Sequence, residues 1–201
     1  MTDIAPGTLS FNVSERINTE DGLASNKMLF YKSPDGSVYS VYPPTAFLTF
    51  SNWIYMVPPF KPADVLMLGY AGGTTAGLIK QIYGQDVEIV GVDISVVDNR
   101  HGSVLIHADA REFVKTARAF DVVIIDLFIG QKTPAFVSDF GFMEDIARIT
   151  KRFLVIHTDP EIDIGVYEQR FTRLRMMDIG HRLYYYRPAE SHENFFCPSS
   201  M

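Results

Sequence analysis

Short apolar runs alternate with helix-like segments from residue 63 onward, and this alternation limits the possible folds more than any other feature. Most runs are four or five residues long and almost entirely apolar, which is typical of strands buried on both faces of a parallel sheet. Because strands that alternate with helices form parallel sheets through right-handed crossovers, an α/β fold with a doubly wound, mostly parallel sheet is expected. Strands are predicted at residues 65–68, 88–92, 104–107, 122–125, 153–156 and 182–186, and helices at 74–83, 110–118, 140–151 and 166–174.

A small β element precedes this unit. Residues 27–32 and 37–42 are predicted to be strands of a hairpin, because the Pro34-Asp35-Gly36 sequence between them is typical of a tight turn. The apolar residues 45–57 are expected to form a buried helix, followed by a proline-rich connector. The sequence therefore divides into an N-terminal tail, hairpin and apolar segment (1–62), an α/β domain (63–190) and a C-terminal tail (191–201).

The composition limits the cellular compartment and the binding partners that can be expected. The formal net charge is -6, which opposes non-specific binding to phosphate backbones. The single cysteine, Cys197, cannot form an internal disulfide, and the polar N-terminus contains no signal-like apolar core. No apolar run approaches the length of a membrane span. We therefore expect a cytoplasmic protein with no membrane and no nucleic-acid partner.

A glycine-rich turn, Gly69-Tyr70-Ala71-Gly72-Gly73, follows the first strand of the α/β domain and precedes its first helix. Glycines let the backbone turn tightly and approach a ligand closely, and the next helix presents free N–H groups to that ligand. Asp93 follows the second strand, about twenty residues further on, where an acid accepts hydrogen bonds from ribose hydroxyls. Together these features predict a nucleotide-type site, although a plain strand–helix turn also accounts for the glycines alone.

Asp109 follows the third strand. Its carboxylate can accept a hydrogen bond from an adenine amino group. It can also be the N-cap of the helix that begins at Ala110, since aspartate is a preferred N-cap residue. Both roles are compatible with each other.

Four segments together resemble the spermidine synthase family, a branch of the class I methyltransferase-like (Rossmann-like) fold. They are LMLGYAGGT, VGVDISVVD, HADAREFV and FDVVIIDLFIGQKTPAF, and the resemblance covers roughly residues 30–160. It implies a transferase that binds S-adenosylmethionine or decarboxylated S-adenosylmethionine, with S-adenosylhomocysteine or methylthioadenosine as product, and it suggests a homodimer. The cofactor contacts that it implies are Gly69, Tyr70, Ala71, Gly72, Gly73, Asp93, Ile94, Asp109, Ala110 and Asp126.

Asp126 ends the fourth strand, so its side chain should face the ligand cleft. The resemblance places it at the position of the family's catalytic aspartate, where it would hold an amine and assist loss of its proton. A strand-end acid that pairs with Lys132 is the alternative. His157 ends the fifth strand on the same side and is a candidate general base, or else a hydrogen-bonded loop histidine.

Several positions depart from the polyamine-binding pattern of that family. Gly72 and Ile129 stand where the family usually has acids, and the segment SNWIYMV keeps Tyr55 but has no histidine or glutamate. Burying a multiply charged amine without these partners would cost several kcal/mol. Methyl transfer or an atypical small-molecule acceptor is therefore favoured over putrescine aminopropyl transfer. The predicted acceptor pocket contains Tyr55, Phe128 and Ile129, with Trp53 nearby, although for each aromatic residue alone a place in the core is the favoured interpretation.

Two other functions remain open from the sequence. The missing acids are compatible with a catalytically degenerate binding or assembly module. The glycine turn and the ribose acid are compatible with an NAD-dependent oxidoreductase, although the turn lacks the Gly-x-Gly-x-x-Gly spacing. Metal binding is not expected, because the chain has one cysteine and its histidines have no paired ligand spacing. These histidines are His101, His107, His157, His181 and His192.

Overall fold

The computed structural model of the chain describes residues 12–17, 27–32, 38–42, 52–95, 99 and 101–189. Its strands are β1 (Asn12–Ile17), β2 (Lys27–Lys32), β3 (Val38–Tyr42), β4 (Asp64–Leu68), β5 (Glu88–Asp93), β6 (Val104–His107), β7 (Phe120–Ile125), β8 (Thr150–Thr158), β9 (Phe171–Asp178) and β10 (Arg182–Pro188). The α-helices are α1 (Thr74–Tyr83), α2 (Ala110–Thr116) and α3 (Phe140–Ile149), and shorter 3-10 helices span Asn52–Met56, Ala135–Ser138 and Gly165–Gln169.

Seven strands form one sheet in the order β6-β5-β4-β7-β8-β10-β9. The five strands from β6 to β8 are parallel to their neighbours, whereas β10 is antiparallel to both β8 and β9. The predicted α/β fold with a mostly parallel sheet is therefore confirmed. Chain order reverses at β4, so the carboxyl ends of β4, β5 and β7 form the crevice in which ligands bind in open α/β sheets.

Both faces of this sheet are covered by apolar cores. Leu66 and Leu68 of β4 pack in one core cluster, whereas Val65 and Met67 pack in the other. Successive side chains of a strand point to opposite faces, so a strand between two cores needs apolar residues at successive positions. This explains the short apolar runs from which the fold was predicted.

The N-terminal sheet has the order β1-β2-β3. The predicted hairpin is confirmed by antiparallel pairing of β2 with β3, in which Leu29 lies opposite Tyr42. The Pro34-Asp35-Gly36 turn lies outside the described residues, as do Cys197 and the C-terminal tail. Strand β1 adds a third antiparallel strand that the polar sequence before residue 27 did not reveal.

Strand β3 is attached to the carboxyl edge of the large sheet. The Ser40 hydroxyl accepts a hydrogen bond from Gly72 N at 2.9 Å, and the Val41 amide donates to Thr74 Oγ1 at 2.8 Å. The Tyr39 hydroxyl donates to the Gly130 carbonyl at 3.0 Å. The N-terminal sheet therefore contacts both the glycine turn after β4 and the loop after β7.

Two helix predictions need correction. The helix predicted over residues 166–174 is wrong, because a 3-10 helix at Gly165–Gln169 is followed directly by strand β9. Local propensity does not decide this segment, and antiparallel pairing with β10 along its whole length supplies the backbone hydrogen bonds. Of the helix predicted over 45–57, residues 45–51 lie outside the described part, and Asn52–Met56 is a 3-10 helix.

Candidate functional site

The glycine turn joins β4 to α1 in a backbone conformation that favours glycine. Gly69 has a φ angle of +88°, and a Cβ atom added there would overlap the main-chain carbonyl of Asp126. The Asp126 amide in turn donates to the Leu68 carbonyl at 2.8 Å. A glycine at position 69 thus allows the ends of β4 and β7 to lie side by side. The turn and Asp126 are therefore direct neighbours.

Tyr70 occupies the turn but its side chain lies in the protein core. The residue is 2% exposed, and its hydroxyl donates to Ser103 Oγ at 3.1 Å. A Cβ atom added at Gly91 of β5 would overlap the Tyr70 ring, so Gly91 provides the space that the ring fills. Only the main chain of Tyr70 is placed to contact a ligand at the turn, and the predicted cofactor role is limited to those atoms.

Most amides of the turn already have partners within the protein. The Ala71 amide donates to Asp93 Oδ2 at 2.8 Å, and the Gly72 amide donates to Ser40 Oγ. The Gly73 amide donates to the Tyr70 carbonyl at 2.9 Å. Gly73 precedes α1 and provides no side-chain cap. The expected N–H donors toward a ligand are thus restricted to the first turn of α1.

Asp93 lies at the end of β5, as predicted, and stabilises the glycine turn. Its two carboxylate oxygens accept from the amides of Ala71 and Ser95, each at 2.8 Å. Burial raises the pKa of Asp93 above its ordinary value of 3.8, although main-chain hydrogen bonds from Ala71, Ser95 and Tyr70 lower it in part. The neighbouring Ile94 side chain is 50% exposed at the same strand end, where it can line a ligand site.

Asp109 is the N-cap of α2, which begins at the buried Ala110. Its Oδ1 accepts from the Arg111 amide at 2.9 Å, and its Oδ2 accepts from the Arg111 guanidinium at 2.6 Å. The hydrogen bond from the Arg111 side chain lowers the pKa of Asp109, so the group remains a carboxylate. Asp109 therefore has the predicted N-cap role. An adenine amino group would have to share a carboxylate that already binds Arg111.

Asp126 and His157 form a hydrogen-bonded pair at the carboxyl ends of two neighbouring parallel strands, β7 and β8. The distance between Asp126 Oδ1 and His157 Nδ1 is 2.7 Å, and the two side chains are 18% and 8% exposed. Lys132 pairs instead with Glu161 at 2.6 Å. The structure thus joins the two residues that the sequence proposed separately for catalysis, and Asp126 does not form the alternative pair.

Two further residues contact His157 that sequence reasoning missed. His181 Nδ1 lies 3.2 Å from His157 Nε2, and Asn52 Nδ2 lies 3.4 Å from the same atom. His181 reaches this position because Arg182 pairs with Thr158, which places the β9–β10 turn at the carboxyl edge of β8. Gly180, with a φ angle of +88°, marks that turn and is the sequence signal that would have located His181.

The predicted acceptor pocket is only partly assembled around these imidazoles. The Phe128 ring stacks on His181 at 5.3 Å and tilts toward His157 at 4.9 Å. The Ile129 side chain is 51% exposed and that of Tyr55 is 44% exposed, whereas Trp53 packs against a core cluster. Phe128 is therefore the predicted pocket residue that directly contacts the candidate base.

Asp159 fixes the loop that carries Phe128. Its Oδ2 accepts from the Thr133 amide at 2.7 Å, and its own amide donates to Thr133 Oγ1 at 2.9 Å. These reciprocal hydrogen bonds connect the loop after β7 to the loop after β8. The catalytic candidates therefore lie on connected segments of one sheet edge.

Membrane-spanning helices and metal sites are both absent among the described residues. No helix in that part of the chain is long and apolar enough to cross a membrane. The same residues contain no group of three or more His, Cys, Asp or Glu side chains that could hold a metal ion. The expectations of a cytoplasmic location and of no metal remain predictions.

Comparison with known proteins gives matches in structure. No protein-family model and no curated protein matches the sequence. A probable spermidine synthase from Corynebacterium glutamicum is similar with a TM-score of 0.59 and 14% identity, over 92% of this chain and 81% of that one. The chain has the class I methyltransferase-like fold. The predicted structural resemblance, including a spermidine synthase-like neighbour, is confirmed.

Other proteins of this fold have different activities. A putative O-methyltransferase from Nostoc punctiforme is similar with a TM-score of 0.53 and 13% identity, over 71% of this chain and 57% of that one. A 16S rRNA methyltransferase from Thermus thermophilus, solved with AdoMet and guanosine, has a TM-score of 0.50 and 14% identity, over 89% of this chain and 50% of that one. The fold therefore gives no support to the expectation of no nucleic-acid partner, which rests on net charge alone.

Proposed function

We propose that this chain is a transferase that binds S-adenosylmethionine and uses the Asp126–His157 pair in removing a proton from an acceptor molecule. The observation that carries the proposal is the 2.7 Å hydrogen bond between these side chains at the carboxyl edge of the parallel sheet. An imidazole oriented by a carboxylate is a general base near neutral pH. Asp126 is a direct neighbour of Gly69 in the glycine turn, which supports a base close to the proposed cofactor region.

The residues proposed for the cofactor fit an adenosyl group in their chemistry. The Asp93 carboxylate accepts main-chain N–H groups of Ala71 and Ser95 at the strand end, where a ribose hydroxyl can also donate to it. Gly69 supports a tight turn beside the proposed cofactor region, because a Cβ there would overlap the main-chain carbonyl of Asp126. Asp109 is the weaker candidate, because Arg111 engages both of its oxygens. When bound, S-adenosylmethionine supplies an electrophilic methyl group, and its decarboxylated form supplies an aminopropyl group.

Methyl transfer to a weakly charged small molecule is the form of the reaction that we favour. Gly72 is buried with its amide bonded to Ser40, and Ile129 projects from an exposed turn, so neither position offers a carboxylate to a polyamine. Phe128 instead presents an aromatic surface beside the two imidazoles. Such surroundings suit a neutral acceptor whose O–H or N–H must be deprotonated, and they disfavour an unpaired ammonium group.

The oxidoreductase and the degenerate binding module are less well supported. An NAD-dependent oxidoreductase would have the dinucleotide-binding strand order without an antiparallel strand inserted next to β8. A degenerate binding module would have no need for the buried Asp126–His157 pair. The cytoplasmic location and the homodimer remain part of the proposal, and light scattering of the purified chain tests the dimer.

Calorimetric titration of the purified chain tests the cofactor, with S-adenosylmethionine, decarboxylated S-adenosylmethionine, methylthioadenosine and NAD in parallel. We expect the methionine form to bind best. A panel of a phenol, putrescine and a guanosine-containing RNA, each with methyl-labelled donor, then identifies the acceptor class. Preference for the decarboxylated form would restore aminopropyl transfer, and labelling of the RNA would replace the small-molecule acceptor. Binding of none of the four compounds would favour the degenerate module.

Cofactor affinity is expected to fall on acidification because of Asp93. Ribose hydroxyls donate to the carboxylate, so binding requires the ionised form, and the raised pKa makes protonation begin at a higher pH than for an ordinary aspartate. Affinity should therefore be constant at neutral pH and decrease as the pH falls through that raised pKa. Isothermal titration at several pH values measures the effect.

The Asp93→Ala variant provides the control for this prediction. We expect it to bind about 10- to 100-fold more weakly at neutral pH, since a hydrogen bond to a charged group contributes about 1.5–3 kcal/mol. It should also lose the dependence on acid pH. Wild-type affinity in this variant would remove the ribose role from Asp93.

A further inference from the structure

His157 is poorly placed to contact an acceptor directly. Its side chain is only 8% exposed, and both of its ring nitrogens are engaged. Nδ1 faces Asp126 Oδ1 at 2.7 Å, and Nε2 faces His181 Nδ1 at 3.2 Å. An incoming acceptor would have to displace one of these partners before it could reach the imidazole.

The direction of the hydrogen bonds follows from the donors that each group has. An ionised carboxylate only accepts, so His157 must donate from Nδ1 and is left with a lone pair on Nε2. Two lone pairs that face each other at 3.2 Å would repel, so His181 donates from Nδ1 to that lone pair, which leaves the lone pair of its own ring on Nε2. These tautomers are assigned from the network. Among the described residues, no hydrogen-bond partner faces Nε2 of His181.

We propose that His181, through Nε2, is the group that takes the proton from the acceptor, with Asp126 and His157 as positioning residues. This inference rests on the proposed function and extends it to a residue outside the predicted site. In the step, the O–H or N–H bond of the acceptor breaks and its electron pair stays on the acceptor atom. The proton binds to Nε2 of His181, and the resulting positive charge is stabilised through His157 by the Asp126 carboxylate.

The surroundings of His181 keep it in the form that can accept a proton. The half-buried ring stacks on Phe128 of the β7 loop and lies 5.1 Å from the ring of His157 of β8, whose Nε2 also contacts Asn52. Burial lowers the pKa of His181 below 6.5 and the neighbouring His157 lowers it further, whereas the charges of Asp126 and Asp159 raise it. The imidazole is therefore neutral at pH 7.

The β9–β10 turn holds His181 in place. The Ile179 amide donates to the His181 carbonyl at 2.9 Å, and Arg182 lies opposite both Asp178 and Thr158. His181 thus directly precedes a strand, β10, that is paired on both sides. A base next to a paired strand is positioned more precisely than one on a free loop, which is what proton transfer at hydrogen-bond distance requires.

Long-range ¹H–¹⁵N spectra of the histidine rings in the full-length labelled protein test the chain of hydrogen bonds without any ligand. We expect Nδ1 to carry the proton in both His157 and His181 at neutral pH. The matched variants are His181→Gln and Asn52→Ala, which each remove one neighbour of His157 Nε2. The His157 Nε2 resonance should shift in His181→Gln and change little in Asn52→Ala. A proton on Nε2 of His181, or the opposite response of the two variants, would overturn the proposal.

Modification and turnover provide the second test. Diethyl pyrocarbonate, mapped by mass spectrometry, should modify His181 before His157. His181→Gln should lower methyl transfer to the acceptor found in the panel by about 100-fold and remove the acid limb of the pH–rate profile. Unchanged turnover in this variant would reject His181 and leave the proposed function standing. Absence of S-adenosylmethionine binding, with the expected tautomers present, would reject the proposed function instead.

Discussion

The Asp126→Asn variant is expected to lose about 100- to 10,000-fold of turnover while its affinity for S-adenosylmethionine changes little. Asparagine keeps the shape of the side chain and can still accept from His157 Nδ1 at the same distance. It carries no charge, however, so it cannot stabilise the positive imidazole that forms when a proton is taken from the acceptor. Initial rates at saturating donor, together with calorimetry, separate the loss of turnover from any loss of binding.

Glu161→Gln is the matched control for this variant. Glu161 also carries a carboxylate near the carboxyl edge of the sheet, but it forms an exposed pair with Lys132. Exposed pairs of this kind contribute little to stability, so the control should keep wild-type turnover. Full activity in Asp126→Asn would refute the catalytic assignment of the pair. Equal losses in both variants would point to a general effect of charge at this edge.

The fold around the proposed cofactor half of the site, from the glycine turn to Asp93, could be predicted from the sequence because it is local. A glycine turn, a helix, a second strand and Asp93 follow the first strand of the domain within 25 residues, from position 69 to 93. Parallel pairing of β4 with β5 then brings the two strand ends together without further information. The position of Asp126 follows from the same rule, because β7 pairs with β4 on the other side.

The other half of the site depends on contacts between distant segments, and the sequence pattern does not specify them. His181 meets His157 only because β9 and β10 form an antiparallel pair beside β8. A helix had been predicted over residues 166–174, and that prediction leaves His181 without a defined position. Asn52 approaches the same histidine from a 3-10 helix that precedes the sheet. Neither contact has a fixed spacing in the sequence.

Tyr70 illustrates a different difficulty, in which a local motif contains a residue with a distant structural role. Its place between Gly69 and Ala71 suggested a cofactor contact, yet its ring extends under the turn toward β5. There it meets Gly91, whose missing side chain creates the space, and Ser103, whose hydroxyl accepts from the phenol. Only the register of β4 against β5 reveals that the large side chain at position 70 requires a glycine at position 91.

Replacing Tyr70 with alanine is therefore expected to destabilise the fold by about 3–5 kcal/mol, as for other buried aromatic side chains. Gly91→Ala should cost about 1–3 kcal/mol, because the added Cβ overlaps the Tyr70 ring and crowds Leu105. In the double variant Tyr70→Ala/Gly91→Ala the overlap with the ring is absent. The two changes should then cost less together than the sum of their separate effects, with a coupling of about 0.5–3 kcal/mol.

Urea unfolding followed by the fluorescence of Trp53 measures these free energies, since this tryptophan is the only one in the chain and packs against the same core cluster. Tyr70→Phe is the control: it keeps the ring and removes only the hydroxyl bonded to Ser103, so it should cost about 1 kcal/mol. Additive effects of Tyr70→Ala and Gly91→Ala would contradict the contact between the two positions. A Tyr70→Ala variant with nearly wild-type stability would mean that the ring lies outside the core. The tyrosine side chain would then again be a candidate ligand contact.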